Sequence, residues 1–269
     1  LAGKVADRLE ASFPVRLVLV GMYAYSTHSS PPKIPIHKNI RVLVATEVIN
    51  PPRDPFDLIA QWSSLEIPLG VREYYGVGIW ELESPWRSRA GGLSLIGQRL
   101  NRLRQLGVQF VSAESSYNWG ANGLMYFAAA WHMFLGSSKI TGIDPSRLVL
   151  EFTISLFPST HVAMTRFFEM LWVQNPPKIT RQSHIAQMRG LLINAIGSAD
   201  QEEELNRIYA FAQYIQFVSI AERFFDSSSR QARSRVGLEL IQHGYRMRSA
   251  RLLHEDALHR SIIRLDVNV

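Results

Sequence analysis

Three carboxylates, Glu47, Glu73 and Glu114, stand at the ends of short β-prone runs, and groups that hold sugars lie near them. Tyr23 and Tyr25 close the first such run. Arg72, Tyr74 and Tyr75 flank Glu73, and Tyr117, Asn118 and Trp119 follow Glu114. Carboxylates beside aromatic rings fit glycosidic cleavage, in which one acid protonates the leaving oxygen while a second carboxylate supports the oxocarbenium-like centre. Each carboxylate has a plainer reading as a helix cap or as an arginine's partner, as Glu73 could be with Arg72. Three at one sheet edge favour a functional mouth.

Other chemistries find less support. The eight histidines are scattered, without H-x-H or H-E-x-x-H spacing, so no metal or cofactor is expected. No serine lies in a nucleophile-elbow pattern, and no Gly-rich phosphate fingerprint follows a strand. The chain has no cysteine, which excludes disulfides and thiolate metal sites. The net charge of +6 is spread along the chain. The tail after Phe225 is locally basic, but its arginines alternate with apolar residues, as on a solvated helix face, so no nucleic-acid partner is expected. The apolar runs are shorter than a bilayer span, so no membrane partner is expected either.

The elements that must position these residues read as βα units. An amphipathic helix over residues 1–12 has Val5 and Leu9 on one side and ends before Pro14. Strands follow at Arg16–Tyr25, Asn39–Thr46, Pro68–Arg72 and within Leu106–Glu114. Helices are expected at Phe56–Leu65, Leu93–Leu106 and Leu124–Leu135. Near-continuous apolar strands separated by helices imply parallel pairing with covered faces. Four units do not close a barrel, so the expected fold is α/β, the C-terminal half of a (β/α)8 barrel over residues 1–140. An open sheet is the alternative. From Thr141 the period is helical throughout. Asp144 and Pro145 open a helix as cap and first residue, Pro158 opens another, and residues 179–197, 200–225 and 228–253 continue as an α-helical C-terminal region, 141–269.

The run Phe110–Phe127, with Ile143–Phe152 and Met164–Glu169, resembles a bacterial domain-of-unknown-function family with glycoside-hydrolase-like barrels. That family is distantly similar to α-glucuronidases and β-hexosaminidases. Tyr23-Ala24-Tyr25, Pro31-Pro32 and Asn39-Ile40 extend the likeness over roughly residues 1–175. The resemblance implies that the strands seen here are barrel strands five to eight. It also implies an upstream half-barrel of the same protein, export from the cell, and a polysaccharide or oligosaccharide substrate. Glu73 then occupies the strand-seven position of a base or nucleophile, and Glu114 that of the strand-eight acid. The relatives' general acid stands at the end of strand four, outside this chain. Where members carry Trp-Asp after the strand-eight helix, this chain has Trp131-His132.

The expected catalytic residues are therefore Glu73 and Glu114. The expected substrate-binding residues are Tyr23, Tyr25, Glu47, Arg72, Tyr74, Tyr117, Asn118 and Trp119. A non-catalytic carbohydrate-binding barrel is the main alternative, and a helical interaction module in the second half is the other.

Overall fold

The computed structural model describes residues 1–77, 85–87, 93–135, 144–173 and 176–267. The chain divides into two compact units: Leu1–Tyr74 with Gln98–Glu114, and Tyr75–Gly97 with Ser115–Val269.

The first unit is built on four parallel strands in sequence order: β1 (Val20–Ser26), β2 (Ile40–Ile49), β3 (Leu69–Tyr74) and β4 (Phe110–Glu114). Parallel neighbours need crossovers, and helices supply two of them, α2 (Pro55–Ser63) after β2 and α3 (Leu93–Gln105) after β3. Helix α1 (Ala2–Ser12) precedes the sheet. Asp54 starts α2 by accepting the amide hydrogens of Phe56 and Asp57 at 2.7 and 3.2 Å, with Pro55 at the first helical position. The fold is thus α/β, with strands that run parallel as the apolar runs predicted.

Alternation along the strands gives the sheet two unlike faces. Ala24, Val42, Val44, Leu69 and Val71 are buried on one of them, the side on which Leu58, Ile59 and Trp62 of α2 also lie buried. The Trp62 indole donates to the Ser29 carbonyl at 2.7 Å and fixes the proline-rich loop after β1 to α2. On the other face Tyr23, Leu43, Gly70 and Phe110 stand level across the sheet. The Phe110 ring lies over Gly70, where an added Cβ would come within 2.0 Å of it. The first strand is shorter than expected: Val15, Leu17 and Leu19 precede its start at Val20 and are exposed.

The second unit is helical: α4 (Trp119–Leu135), α5 (Pro145–Leu156), α6 (His161–Leu171), α7 (Lys178–Ser198), α8 (Glu202–Asp226), α9 (Arg230–Arg246) and α10 (Glu255–Val267). The sequence reading placed α4 in the α/β half, whereas the compact units place it here. From α4 onward each helix packs on the next in sequence. Phe152, Phe157, Phe167, Phe168 and Phe211 form an aromatic centre, and Trp172 stacks on Phe168 at 4.4 Å between ring centroids.

Asp144 caps α5 as expected, accepting from the Ser146 amide at 2.9 Å. Helix α6 begins at His161 rather than Pro158, because the preceding turn gives its donors to the buried Glu204 of α8. The hydroxyls of Ser159 and Thr160 donate to that carboxylate at 2.7 and 2.6 Å, and their backbone amides at 3.3 and 2.9 Å. The helix expected over 228–253 ends at Arg246 instead. The chain turns through a short 3₁₀ segment, Arg248–Ala250, and through Arg251 in the left-handed region at φ +57°. It then starts α10, which the sequence did not announce.

Candidate functional site

The C-terminal ends of β1, β3 and β4 place a polar cluster on the sheet face opposite the buried valines. Arg72 is its centre. One guanidinium nitrogen donates to Glu114 Oε2 at 2.9 Å, and another to the Ser112 hydroxyl at 3.1 Å on the neighbouring strand. Register explains both contacts, since Arg72 stands level with Ser112 and Tyr74 level with Glu114. The guanidinium carbon lies 5.7 Å from the Tyr23 ring centre and 5.9 Å from that of Tyr74, within cation–π range. The hydrogen bond to Glu114 raises the Arg72 pKa further above its already high value, so this group remains a cation. The Tyr74 phenol is pushed up from its ordinary value, chiefly by burial and then by the nearby Tyr25 and Glu114.

Tyr23 and Tyr25 alternate with buried Ala24 and are 54% and 43% exposed. They present ring surface on the same side as Arg72. Glu47 is exposed beyond the last regular pairing of β2, where Val48 has φ +56° and the register with β1 shifts.

Glu73 takes the opposite orientation. It is 2% exposed, with both carboxylate oxygens facing Nε of Arg99 on α3 at 2.9 and 3.0 Å, and Oε2 also accepts the Thr46 hydroxyl at 3.1 Å. The structure therefore separates the two expected catalytic carboxylates: Glu114 lies with Arg72 and the tyrosines, and Glu73 with the buried side of the sheet. Burial and three good contacts make Glu73 a strut between β2, β3 and α3.

Tyr117, Asn118 and Trp119 belong to the helical unit. Asn118 is fully buried and donates to the Gly76 carbonyl at 3.1 Å, while the Tyr126 hydroxyl donates to Asn118 Oδ1 at 2.5 Å. It latches the backbone at Gly76, whose φ of +62° and close neighbours exclude a side chain. Tyr117 stacks on His254 at 4.6 Å, with Arg251 5.3 Å above its ring. Trp119, the first residue of α4, is exposed and meets Tyr126 edge-on at 5.3 Å.

Sequence reading did not find Ser112, Arg99 or Thr46. The signal for Ser112 was present, since it precedes Glu114 by two residues on β4 and so shares its face. Arg99 carried none, because pairing a helix residue with Glu73 requires the tertiary fold. Among the described residues no group of three or more potential metal ligands lies together, and no helix is long and apolar enough to cross a membrane. The fold and this polar cluster define an α/β protein with a four-stranded parallel sheet. Comparison with protein-family models, curated proteins and solved structures finds no match.

Proposed function

We propose that the sheet face bearing Arg72 and Glu114 is the carbohydrate-binding wall of a glycoside-hydrolase-like barrel, of which these four strands form one half. The carrying observation is the arrangement at the strand ends: an Arg72–Glu114 salt bridge bordered by the rings of Tyr23 and Tyr74, with Tyr25 exposed on the strand that bears Tyr23. Aromatic faces stack on the C–H surfaces of pyranoses, and a carboxylate paired with a guanidinium offers acceptors and donors to sugar hydroxyls. Four parallel strands in sequence order, with helices between them, also suit half of such a barrel. The remaining strands would come from an upstream half of the same protein.

Within this half, the second carboxylate on offer for hydrolysis is Glu47 rather than Glu73. Glu114, hydrogen-bonded by Arg72, would take one of the two carboxylate roles, and Glu47, without a basic partner among the described residues, the other.

A binding role without turnover is the second reading, favoured by the commitment of Glu114 to Arg72 and by the burial of Glu73. Cello-, xylo-, chito- and malto-oligosaccharides titrated into the protein, with reducing-end release followed in parallel, test both readings. Binding that weakens in Tyr23→Ala and Glu114→Gln supports the site. Release of reducing ends that stops in Glu47→Gln and Glu114→Gln supports hydrolysis, and saturable binding without release leaves the binding role. Binding that is indifferent to both Tyr23→Ala and Glu114→Gln would remove the site from this face.

A further inference from the structure

The helical unit contains a pocket of about 670 Å³ that the proposed sheet-face site does not use. Its lining includes Arg246 at the end of α9, Arg248 and Arg251 from the turn that follows, Glu255 from the first turn of α10, and Tyr117 and Tyr245. The volume is that of a small-molecule site, and its lining side chains carry an excess of two positive charges.

Three observations favour a ligand. First, the cationic groups are held in place rather than trailing in solvent. The carbonyls of Arg251 and Leu252 accept the backbone amides of Trp119 and Gly120, at 3.2 and 3.0 Å, so the turn is fastened to the first residues of α4. Arg251 is further fixed over the Tyr117 ring, whose other neighbour is the stacked His254 ring. Second, among the described residues neither Arg246 nor Arg251 has a carboxylate partner. Third, Glu255 is 2% exposed, yet neither of its side-chain oxygens accepts a hydrogen bond. Arg248 Nε stands 2.8 Å from Glu255 Oε1, outside hydrogen-bonding geometry, on a side chain that is itself 68% exposed. A buried carboxylate without donors is costly. Two guanidinium groups at the pocket thus have no carboxylate partner among the described residues, and the buried Glu255 has one ion-pair contact, to Arg248, and accepts no hydrogen bond.

We propose that this pocket binds a small hydroxylated oxyanion, of the sugar phosphate or sugar acid type. Arg246 and Arg251 take the oxyanion, and a hydroxyl of the ligand donates to Glu255 as the exposed Arg248 side chain moves aside. Charge-assisted contacts to guanidinium groups supply the affinity, and the hydroxyl contact distinguishes the ligand from a bare anion. The site lies wholly within the helical unit and stands whether or not the sheet face binds sugar.

Calorimetric titration of the whole chain with glucose 6-phosphate, glucuronate, inorganic phosphate and glucose tests it. The expected result is saturable binding of glucose 6-phosphate or glucuronate, none of glucose, and affinity for inorganic phosphate lower by about tenfold. The double variant Arg246→Gln/Arg251→Gln, which removes two side chains without ion-pair partners, keeps the wild-type circular dichroism spectrum and lowers the affinity at least about tenfold. Glu255→Gln weakens the sugar ligands and leaves phosphate within about twofold. Should Glu255→Gln fail to fold, the wild-type ratio of glucose 6-phosphate to phosphate decides the same point. Equal affinity for these two would overturn the role of Glu255. Absence of binding of either charged sugar at about 10 mM, or unchanged affinity in the arginine double variant, would overturn the site.

Discussion

Replacing each of the two strand-end carboxylates by its amide separates stability from ligand binding. In Glu73→Gln the side chain stays nearly isosteric, but Arg99 loses its counter-ion and faces an amide that has one oxygen in place of two. Breaking a fully buried ion pair from one side costs about 3–5 kcal/mol. Arg99 is about one-third exposed and can recover part of its hydration, so the expected loss is roughly 1–3 kcal/mol. Glu114 is more than two-fifths exposed, and its partner Arg72 retains Ser112 and the two tyrosine rings. Glu114→Gln is therefore expected to cost at most about 1 kcal/mol. Urea unfolding of both variants, with oligosaccharide titration under conditions where each is fully folded, gives the two readouts. Glu73→Gln should unfold earlier and bind oligosaccharide as the wild type does, and Glu114→Gln should do the reverse. A Glu73→Gln protein with an unchanged urea midpoint and abolished sugar binding would refute the assignment of Glu73 to the buried face.

Other perturbations address the same architecture. Burial pushes the Glu204 carboxyl upward, but the hydroxyls of Thr160 and Ser159 and their amides outweigh it and hold the pKa below the ordinary value. Its stabilising contribution is thus complete above the unfolded-state pKa, near 4.3, and is lost as pH falls through the lower folded-state value. The gap in urea midpoint between wild type and Glu204→Gln should accordingly be full at pH 7 and close on acidification. Gly76→Ala places a Cβ 2.3 Å from the Tyr126 hydroxyl at φ +62°, and should cost more than about 1 kcal/mol, read as a lower melting temperature. Tyr74 should titrate above a free phenol in the difference spectrum between wild type and Tyr74→Phe. Removing the charge of Glu114 should move that titration down, though burial will keep it above the ordinary value.

Much of the α/β unit was legible because its signals are local. β-branched runs marked the strands, Asp54-Pro55 and Asp144-Pro145 marked helix starts, and the lengths between strands demanded crossovers. The orientation of Glu73 was legible in part. Arg72, Glu73 and Tyr74 are consecutive on one strand, so Glu73 had to face away from both neighbours. Which side was the buried one depended on Arg99 and Thr46, distant in sequence. Asn118 looked like a ligand-binding amide in a loop, and only the turn at Gly76, more than forty residues earlier, shows it to be a backbone latch. The start of α10 was hidden for a different reason. A chain reversal there uses Arg251 in the left-handed region instead of glycine, and Ser249 to Arg251 contain no proline, so nothing punctuates the helical pattern.

The Phe110 ring resting over Gly70 ties two positions of the sheet into one choice. Neither changes alone without cost: a methyl at residue 70 meets the ring, and a smaller residue at 110 takes away the ring that lies over the glycine. Alanine at 70 should be harmful alone and tolerated beside a reduced side chain at 110, a departure from additivity that a double-mutant cycle reads as coupling. The sheet thus carries, at one level, a ring that serves as the missing side chain of its neighbour: Phe110 fills from β4 the space that Gly70 leaves open on β3.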